Sequence, residues 1–222
     1  MQITRTPTTA VVHFRTDNQR ELCETFMRPQ EFYESPYPEI RGQHFRVSEF
    51  MTRYAMDHGG KFTYFEDWHG FNIPGDVVLD FFKKFDAWDR TTGENIIFEA
   101  TKSLDKFYLI GTHSGGEDDA LDHELVHASY YLDDEYRHHA NVLIGHWLTQ
   151  PHAKKLIEYL KSRGYGDSTM TDEINAYLAT TDEAYWKEEL GDPVLAHQLW
   201  DDGADFRRLA KSFRTNRWLP NG

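Results

Sequence analysis

Hydrophobic positions recur with a helical spacing over most of the second half of the sequence. Apolar residues three and four positions apart predict six helices, near residues 119–132, 134–149, 151–163, 170–181, 182–190 and 193–215. Strand signals are concentrated in the first half. Strands that come first and helices that follow indicate the α+β class.

The first half alternates between short apolar runs and turn residues. β-Branched residues in "TTAVVHFRT" predict an early strand. Helical periodicity predicts amphipathic helices in "RVSEFMTRYAMDHGG", with Ser48 as a candidate cap, and in "GDVVLDFFKKFDAW". We therefore expect a small N-terminal sheet accompanied by helices.

Three further stretches have less regular patterns. Prolines and a glycine in "CETFMRPQEFYESPYPEIRGQHF" predict mostly loop with a short helix. The stretch "KFTYFEDWHGFNIPG" predicts a strand that runs into an aromatic loop. Two apolar runs in "NIIFEATKSLDKFYLIGTH" predict a hairpin, in which "KFYLIGTH" is the stronger strand.

The length of 222 residues suits one domain. We expect a single domain over residues 1–222, with a mixed α/β part in 1–118 and a helical part in 119–222. Aromatic residues make up 15% of the chain, which is enough to build a substantial core despite the polar average.

Charge and cysteine content exclude several classes of function. The net charge is −13 and no Lys/Arg cluster is present, so we expect no nucleic-acid partner. No apolar run is long enough to predict a membrane span or a signal peptide. Cys23 is the one cysteine, which excludes a disulfide within the chain and a thiolate zinc site. A cytoplasmic protein is the expectation.

The segment "ALDHELVHASYYLDDEYRHH" contains the pattern H-E-x-x-H, formed by His123, Glu124 and His127. On a helix, residues four apart are neighbours on one face, so the two imidazoles can converge on one metal ion. The glutamate between them is the general base in enzymes with this motif. Leu125 and Val126 should face away from the metal and anchor the helix.

The motif resembles that of the gluzincin zinc metallopeptidases, over about residues 104–182. The resemblance implies a zinc site with His123 and His127 as ligands, Glu124 as general base and a glutamate ligand on a later helix. Such enzymes commonly have a strand over the motif helix that pairs with substrate. The "KFYLIGTH" strand is the candidate for that role.

Two residues compete as third ligand. Asp133 lies six residues after His127, where enzymes with a glycine three residues after the second histidine place their ligand, but that glycine position is Tyr130 here. Glu173 instead shares a predicted helix face with Ala176 and Tyr177, and the small residue lets that helix pack closely. We therefore predict Glu173 as the ligand and Asp133 as a helix cap.

Nearby polar residues supply further candidates. Tyr177, one turn after Glu173, is the predicted donor to the oxyanion of a hydrolytic transition state, with ordinary packing as the alternative. Other tyrosines near the motif are Tyr130 and Tyr131. Carboxylates that could orient a ligand histidine are Asp119, Asp122 and Asp172. Histidines interpreted as surface or core-edge residues are His138, His139, His146 and His152.

These patterns predict a zinc-dependent hydrolase, most readily a metallopeptidase, acting on a peptide or small amide substrate. Two other hypotheses stay open. Two histidines and a carboxylate also describe a non-heme iron site. The helices could alternatively form an interaction module in which the motif is coincidental.

Overall fold

The computed structural model describes residues 1–5, 10–115, 118–167 and 169–217, with the backbone alone at 118–120 and 214–217. The fold is α+β, as predicted, with a small four-stranded sheet near the N-terminus and helices through the second half. The chain divides into two compact units, Met1–Ala120 and Leu121–Gly222. That division lies two residues from the predicted boundary between the mixed and helical parts.

The first unit contains a mixed sheet of four strands in the order β1-β2-β4-β3. The strands are β1 Gln2–Arg5, β2 Val11–Thr16, β3 Phe71–Pro74 and β4 Tyr108–His113. The β2 and β4 strands run parallel, with Val11 opposite Tyr108, whereas β1 and β3 pair antiparallel to their neighbours. The predicted early strand is therefore confirmed as β2.

Five helices of the first unit pack around an aromatic core. They are α1 Gln19–Glu34, α2 Val47–Asp57, α3 Tyr64–Asp67, α4 Gly75–Lys84 and α5 Thr92–Thr101. The predicted helices α2 and α4 are confirmed, although Arg46 rather than Ser48 caps α2. The core consists largely of phenylalanines. Phe26 of α1 contacts the strand residue Phe14 edge to face and stacks on the strand residue Phe71.

The stretch predicted as mostly loop with a short helix is irregular from Ser35 to Arg46, but its first half is wrong, because α1 continues through Pro29 to Glu34. Pro29 lies inside the helix, where its missing N–H and its ring would normally disfavour the helical conformation. Burial outweighs that cost, since ten residues of α1 are buried. Buried Arg28 is also held by hydrogen bonds of 2.8 and 2.5 Å to the Glu94 carboxylate.

The predicted hairpin is also wrong, because its first arm belongs to α5. Thr91 and Glu94 form a capping box, in which each side chain accepts a hydrogen bond from the other's backbone N–H. That local signal starts a helix and outweighs the strand propensity of the isoleucines. In the same way, the stretch predicted as a strand from Lys61 contains α3, and the strand β3 begins only at Phe71.

The β4 strand is not placed to pair with a substrate as predicted. Its two edges are occupied, by β2 on one side and by β3 on the other, over Tyr108–His113. An added peptide strand needs an edge with unpaired backbone groups. In the described part of the first unit those edges belong to β1 and β3.

The second unit is helical. Its helices are α6 Asp118–Leu132, whose first turn lies at the unit boundary, α7 Asp134–Trp147, α8 Ala153–Ser162, α9 Met170–Thr180, α10 Glu183–Leu190 and α11 Pro193–Arg217. Each of the six predicted helices is present, with ends within about two residues of the prediction. No helix in the described residues combines the length and apolar character needed to cross a bilayer.

A close approach between α9 and α11 sets the position of α9. A Cβ added at Gly203 would lie 2.4 Å from the Leu178 carbonyl oxygen, so only glycine allows the two backbones to come this near. Fully buried Trp186 and Leu199 pack in the same core. The helix that carries Glu173 is therefore held by tight packing along its far side.

One buried acid in the first unit connects stability to pH. Glu31 on α1 is 4% exposed, and burial raises the pKa of its carboxyl to about 7, against the smaller opposing effect of Ser35 and Tyr64. The folded state therefore holds this proton more tightly than the unfolded chain does. Its contribution to stability is complete below pH 4.5 and is lost as the pH rises toward 7.

We expect Glu31→Gln to flatten the decline of unfolding free energy between pH 4.5 and 7. The amide carries no charge to bury, so at pH 8 the variant should be more stable than the natural chain by up to about 3 kcal/mol. Chemical denaturation across this pH range measures the difference. Glu24→Gln, on the exposed side of the same helix, is the control, and equal pH profiles for all three chains would contradict the assignment.

Candidate metal centre

Helices α6 and α9 bring three potential metal ligands together. His123 and His127 lie one turn apart on α6, and Glu173 lies in the first turn of α9. The two Nε2 atoms are 3.1 Å apart. The Glu173 carboxylate oxygens lie 3.7 Å from Nε2 of His127 and 3.9 Å from Nε2 of His123. The four atoms thus converge on one small space.

Hydrogen bonds at the other ring nitrogens turn both imidazoles toward that space. The Thr180 hydroxyl donates to the Ala176 carbonyl and so accepts from Nδ1 of His123, at 3.1 Å. Nδ1 of His127 donates to the Asp172 carboxylate at 2.9 Å. Each ring therefore carries a proton on Nδ1, and Nε2 is the atom that faces the shared space.

The pKa values of His123 and His127 shift in opposite directions. Burial, reinforced by His127, lowers the pKa of His123 well below its usual value. Burial also lowers the pKa of His127, but Asp172, Glu173 and Glu124 outweigh it and raise the pKa to about 10. The nearby carboxylates thus favour positive charge at this point, whether from a proton or from a metal cation.

The geometry fits a divalent metal ion. Ligand atoms of His123, His127 and Glu173 all lie within 4.8 Å of one another. Two ligands at about 2.0–2.1 Å from a tetrahedral zinc lie roughly 3.3 Å apart, close to the separations seen here. Three ligands from two helices also leave a fourth position for water or substrate, as catalytic zinc sites do.

The residues between the two histidines of the motif are buried to different degrees. Val126 is buried in the core of the second unit and Leu125 is partly buried. Glu124 is partly buried, and its charge contributes to the raised pKa of His127. The glutamate predicted as general base therefore lies within electrostatic reach of one predicted ligand.

Two tyrosines border the cluster. The Tyr177 ring lies edge-on to the His123 ring, with centroids 5.0 Å apart. Its hydroxyl is 3.4 Å from that of Tyr165. Burial raises the pKa of Tyr165, and Glu173, Tyr177 and Glu124 add to the effect, so this phenol stays protonated beside the carboxylates.

The competing third ligand has another role. Asp133 accepts hydrogen bonds from the backbone N–H groups of Glu135 and Tyr136, at 3.0 and 3.1 Å, and so caps α7. The Tyr130 hydroxyl donates to Asn141 instead of reaching the cluster. The Tyr131 carbonyl accepts from the Arg137 guanidinium at the end of α6.

The other histidines lie apart from the three ligands. His138, His139 and His146 are exposed, as predicted. His152 is partly buried and contacts the Asp202 carboxylate at 2.6 Å. In the described residues, one group of three His, Cys, Asp or Glu side chains is close enough to share a metal ion, and it contains none of these four.

Helix α9 begins after Thr169, which makes no side-chain capping hydrogen bond, so Asp172 lies within the first turn. Among the carboxylates predicted to orient a ligand histidine, Asp172 contacts Nδ1 of His127. Asp122 is exposed, and the side chain of Asp119 lies outside the described residues.

Two residues of the site were missed from the sequence. Thr180 orients His123 from the last turn of α9, and Tyr165 reaches the cluster from the connection between α8 and α9. A helical projection of α9 places Thr180 one to two turns after Glu173, so its proximity could have been anticipated. Tyr165 has no such signal, since only tertiary packing brings it near.

A scan against protein-family models, a search of curated proteins and a search of solved structures found no match to this chain.

We expect Asp172→Asn to weaken divalent-metal binding by about ten- to a hundredfold, because the amide no longer provides a charged acceptor for Nδ1 of His127. Competition with a chromogenic chelator measures the affinity. Asp134→Asn, an exposed acid at the start of α7, is the matched control. Unchanged affinity in the Asp172 variant would show that this hydrogen bond does not support the ligand.

Proposed function

We propose that the chain is a zinc-dependent hydrolase, most readily a metallopeptidase, with His123, His127 and Glu173 as zinc ligands. The observation that carries the proposal is the convergence of these three side chains, with both histidines oriented through Nδ1. Coincidence explains an H-E-x-x-H pattern more easily than it explains two oriented imidazoles facing a third ligand on another helix.

The donor set suits zinc. Two imidazole nitrogens and one carboxylate oxygen form a common catalytic zinc set, and no thiolate is required. When bound, zinc supplies Lewis acidity, which polarises a carbonyl group and lowers the pKa of a water molecule. The carboxylates of Asp172, Glu173 and Glu124 around the two imidazoles provide negative charge that balances a divalent cation.

The side chains around the ligands supply the remaining chemistry. Glu124 accepts a proton from the attacking water as the new carbon–oxygen bond forms, then passes it to the amine as the carbon–nitrogen bond breaks. The paired hydroxyls of Tyr165 and Tyr177 are protonated donors that can stabilise the oxyanion. We extend to Tyr165 the role proposed for Tyr177, because the two hydroxyls lie 3.4 Å apart.

The proposed substrate is a peptide or small amide, since this is the bond that the constellation is equipped to hydrolyse. The proposed compartment is the cytoplasm. Cys23, the single cysteine, is buried and free, and the ligand set does not depend on thiol redox state.

Non-heme iron is the second candidate, because two histidines and one carboxylate are also the ligand set of iron oxygenases. Those enzymes have no evident need for a base at the position of Glu124, which lies beside the ligands here. The identity of the bound metal and the activity of a Glu124 variant therefore distinguish the hydrolase from the oxygenase. If the helices are a non-catalytic interaction module, neither the metal nor Glu124 affects function.

Purified protein expressed with adequate metal should contain about one zinc per chain, measured by elemental analysis. Each single substitution by alanine, at His123, His127 or Glu173, should remove the zinc, because the two remaining ligands hold the ion weakly. His138→Ala, at an exposed histidine of the next helix, should retain the zinc. Iron in place of zinc would favour the oxygenase, and absence of any bound metal would overturn the metal site.

Glu124→Gln should retain zinc and lose hydrolysis, by roughly 10²- to 10⁴-fold, since the amide cannot accept the proton. Cleavage of a mixed peptide library, followed by mass spectrometry, measures activity. Glu135→Gln, at an exposed position of α7, is the control and should behave like the natural chain. Full activity in the Glu124 variant would remove this residue from the mechanism.

A further inference from the structure

The first unit contains a groove that no residue of the proposed metal site lines. It lies between the exposed face of α4 and the C-terminal end of α1, together with the loop that follows α1. Its volume is about 490 Å³. Pockets of that size hold small molecules rather than a protein surface.

Positive side chains outnumber negative ones in the lining of this groove. Arg41, Lys83 and Lys84 line it, and within the described part of the chain Asp80 is the one lining carboxylate. Lys83 contacts Asp80 at 2.7 Å, so these two charges compensate each other. Two positive charges therefore remain, on Arg41 and Lys84, in a chain whose net charge is −13.

Backbone carbonyl groups at the end of α1 hold the Arg41 guanidinium. Its Nε donates to the Ser35 carbonyl at 2.7 Å, and its Nη2 donates to the Glu34 carbonyl at 3.2 Å. The Glu34 carboxylate accepts from the Gln30 side chain at 3.1 Å and not from Arg41. The carbonyls at a helix end carry only about half an elementary charge, so most of the guanidinium charge stays uncompensated. A guanidinium has five N–H donors, which leaves several for a ligand.

Lys84 reaches across the groove from α4 to the loop after α1. Its ammonium group donates to the Gly42 carbonyl and lies 5.7 Å from the centre of the Phe32 ring. Both partners are neutral, and Gly42 directly follows Arg41, so the same short loop holds both cations. A Cβ added at Gly42 would meet no atom within 4 Å, so the space beside this loop is open to a ligand.

Apolar side chains form the rest of the surface that a ligand would contact. Phe32 lies at the base of the groove and is 6% exposed, and Tyr33 and Val77 are partly buried beside it. An apolar ring placed against these side chains would leave water, which favours binding. One ligand can therefore use both the two cations and an apolar surface.

We propose that this groove binds a small phosphate monoester whose phosphate is joined to an apolar ring. Such a phosphate carries a charge of about −1.5 to −2 near pH 7, which matches the two uncompensated cations. Arginine binds phosphate through paired N–H donors, and lysine binds it as a point charge. The inference goes beyond the proposed hydrolase function and does not depend on it, since the groove shares no residue with the metal site.

NMR titration of the ¹⁵N-labelled full chain tests the proposal with three probes, namely phenyl phosphate, inorganic phosphate and phenol. Phenyl phosphate should bind about tenfold more tightly than either of the other two, because it alone combines the charge with the ring. The amide signals of Gly42 and of residues 77–84 should shift as it binds. The same shifts give the dissociation constants.

Substitutions of charged lining residues should change this affinity in opposite directions. Lys84→Gln and Arg41→Gln should each weaken phenyl phosphate binding about tenfold, as expected for the loss of one charge-assisted hydrogen bond, and leave phenol binding unchanged. Asp80→Asn should strengthen it about threefold, because the variant removes a repelling carboxylate and releases Lys83. Lys61→Gln, at an exposed lysine after α2 that does not line the groove, is the matched control.

Three results would overturn the inference. The first is phenyl phosphate that binds no more tightly than inorganic phosphate, or that shifts neither Gly42 nor α4. The second is an equal loss of affinity in Lys84→Gln and Lys61→Gln, which would indicate unspecific attraction. The third is a phosphotyrosine tetrapeptide that binds more than about tenfold more tightly than phenyl phosphate, which would indicate a protein partner. Arg41 also holds the end of α1, so Lys84→Gln, at an exposed position, decides the outcome if Arg41→Gln does not fold.

Discussion

The hydrogen bond between Nδ1 of His127 and the Asp172 carboxylate connects the two halves of the candidate site. It joins α6 to the first turn of α9, and it turns Nε2 of His127 toward His123 and Glu173. Because Asp172 and Glu173 are adjacent in sequence, the contact that orients His127 also places Glu173 near it. The geometry of the site depends on this arrangement more than on any other single contact.

Packing elsewhere in the second unit makes that contact possible. Ala176 is fully buried on the face of α9 that carries Glu173, and Gly203 lets α11 approach the same helix from another side. Small residues at these points allow backbones to come close, so that short side chains reach across. The polar contacts of the site therefore rest on an apolar core that leaves α9 little freedom.

The sequence predicted the helical half well because its helices are long and periodic, so local pattern and tertiary burial agree. It failed where a local signal opposed the final environment. Pro29 indicated a loop, yet burial of α1 outweighed it, and the isoleucines of α5 indicated a strand although Thr91 and Glu94 cap a helix. The prediction that β4 pairs with substrate was wrong, since the sequence of one strand does not determine which strands lie beside it.

The sequence by itself determined the α+β class, the six C-terminal helices and the spacing of His123, Glu124 and His127, because each depends on neighbours along the chain. It favoured Glu173 as the third ligand, because the small residue Ala176 lies on the same face of the predicted helix. Only the tertiary structure decided that Asp172 orients His127 and that Tyr165 lies beside the cluster, since these residues are distant in sequence from the motif. Packing of helices in three dimensions, and not local pattern, brings such residues together.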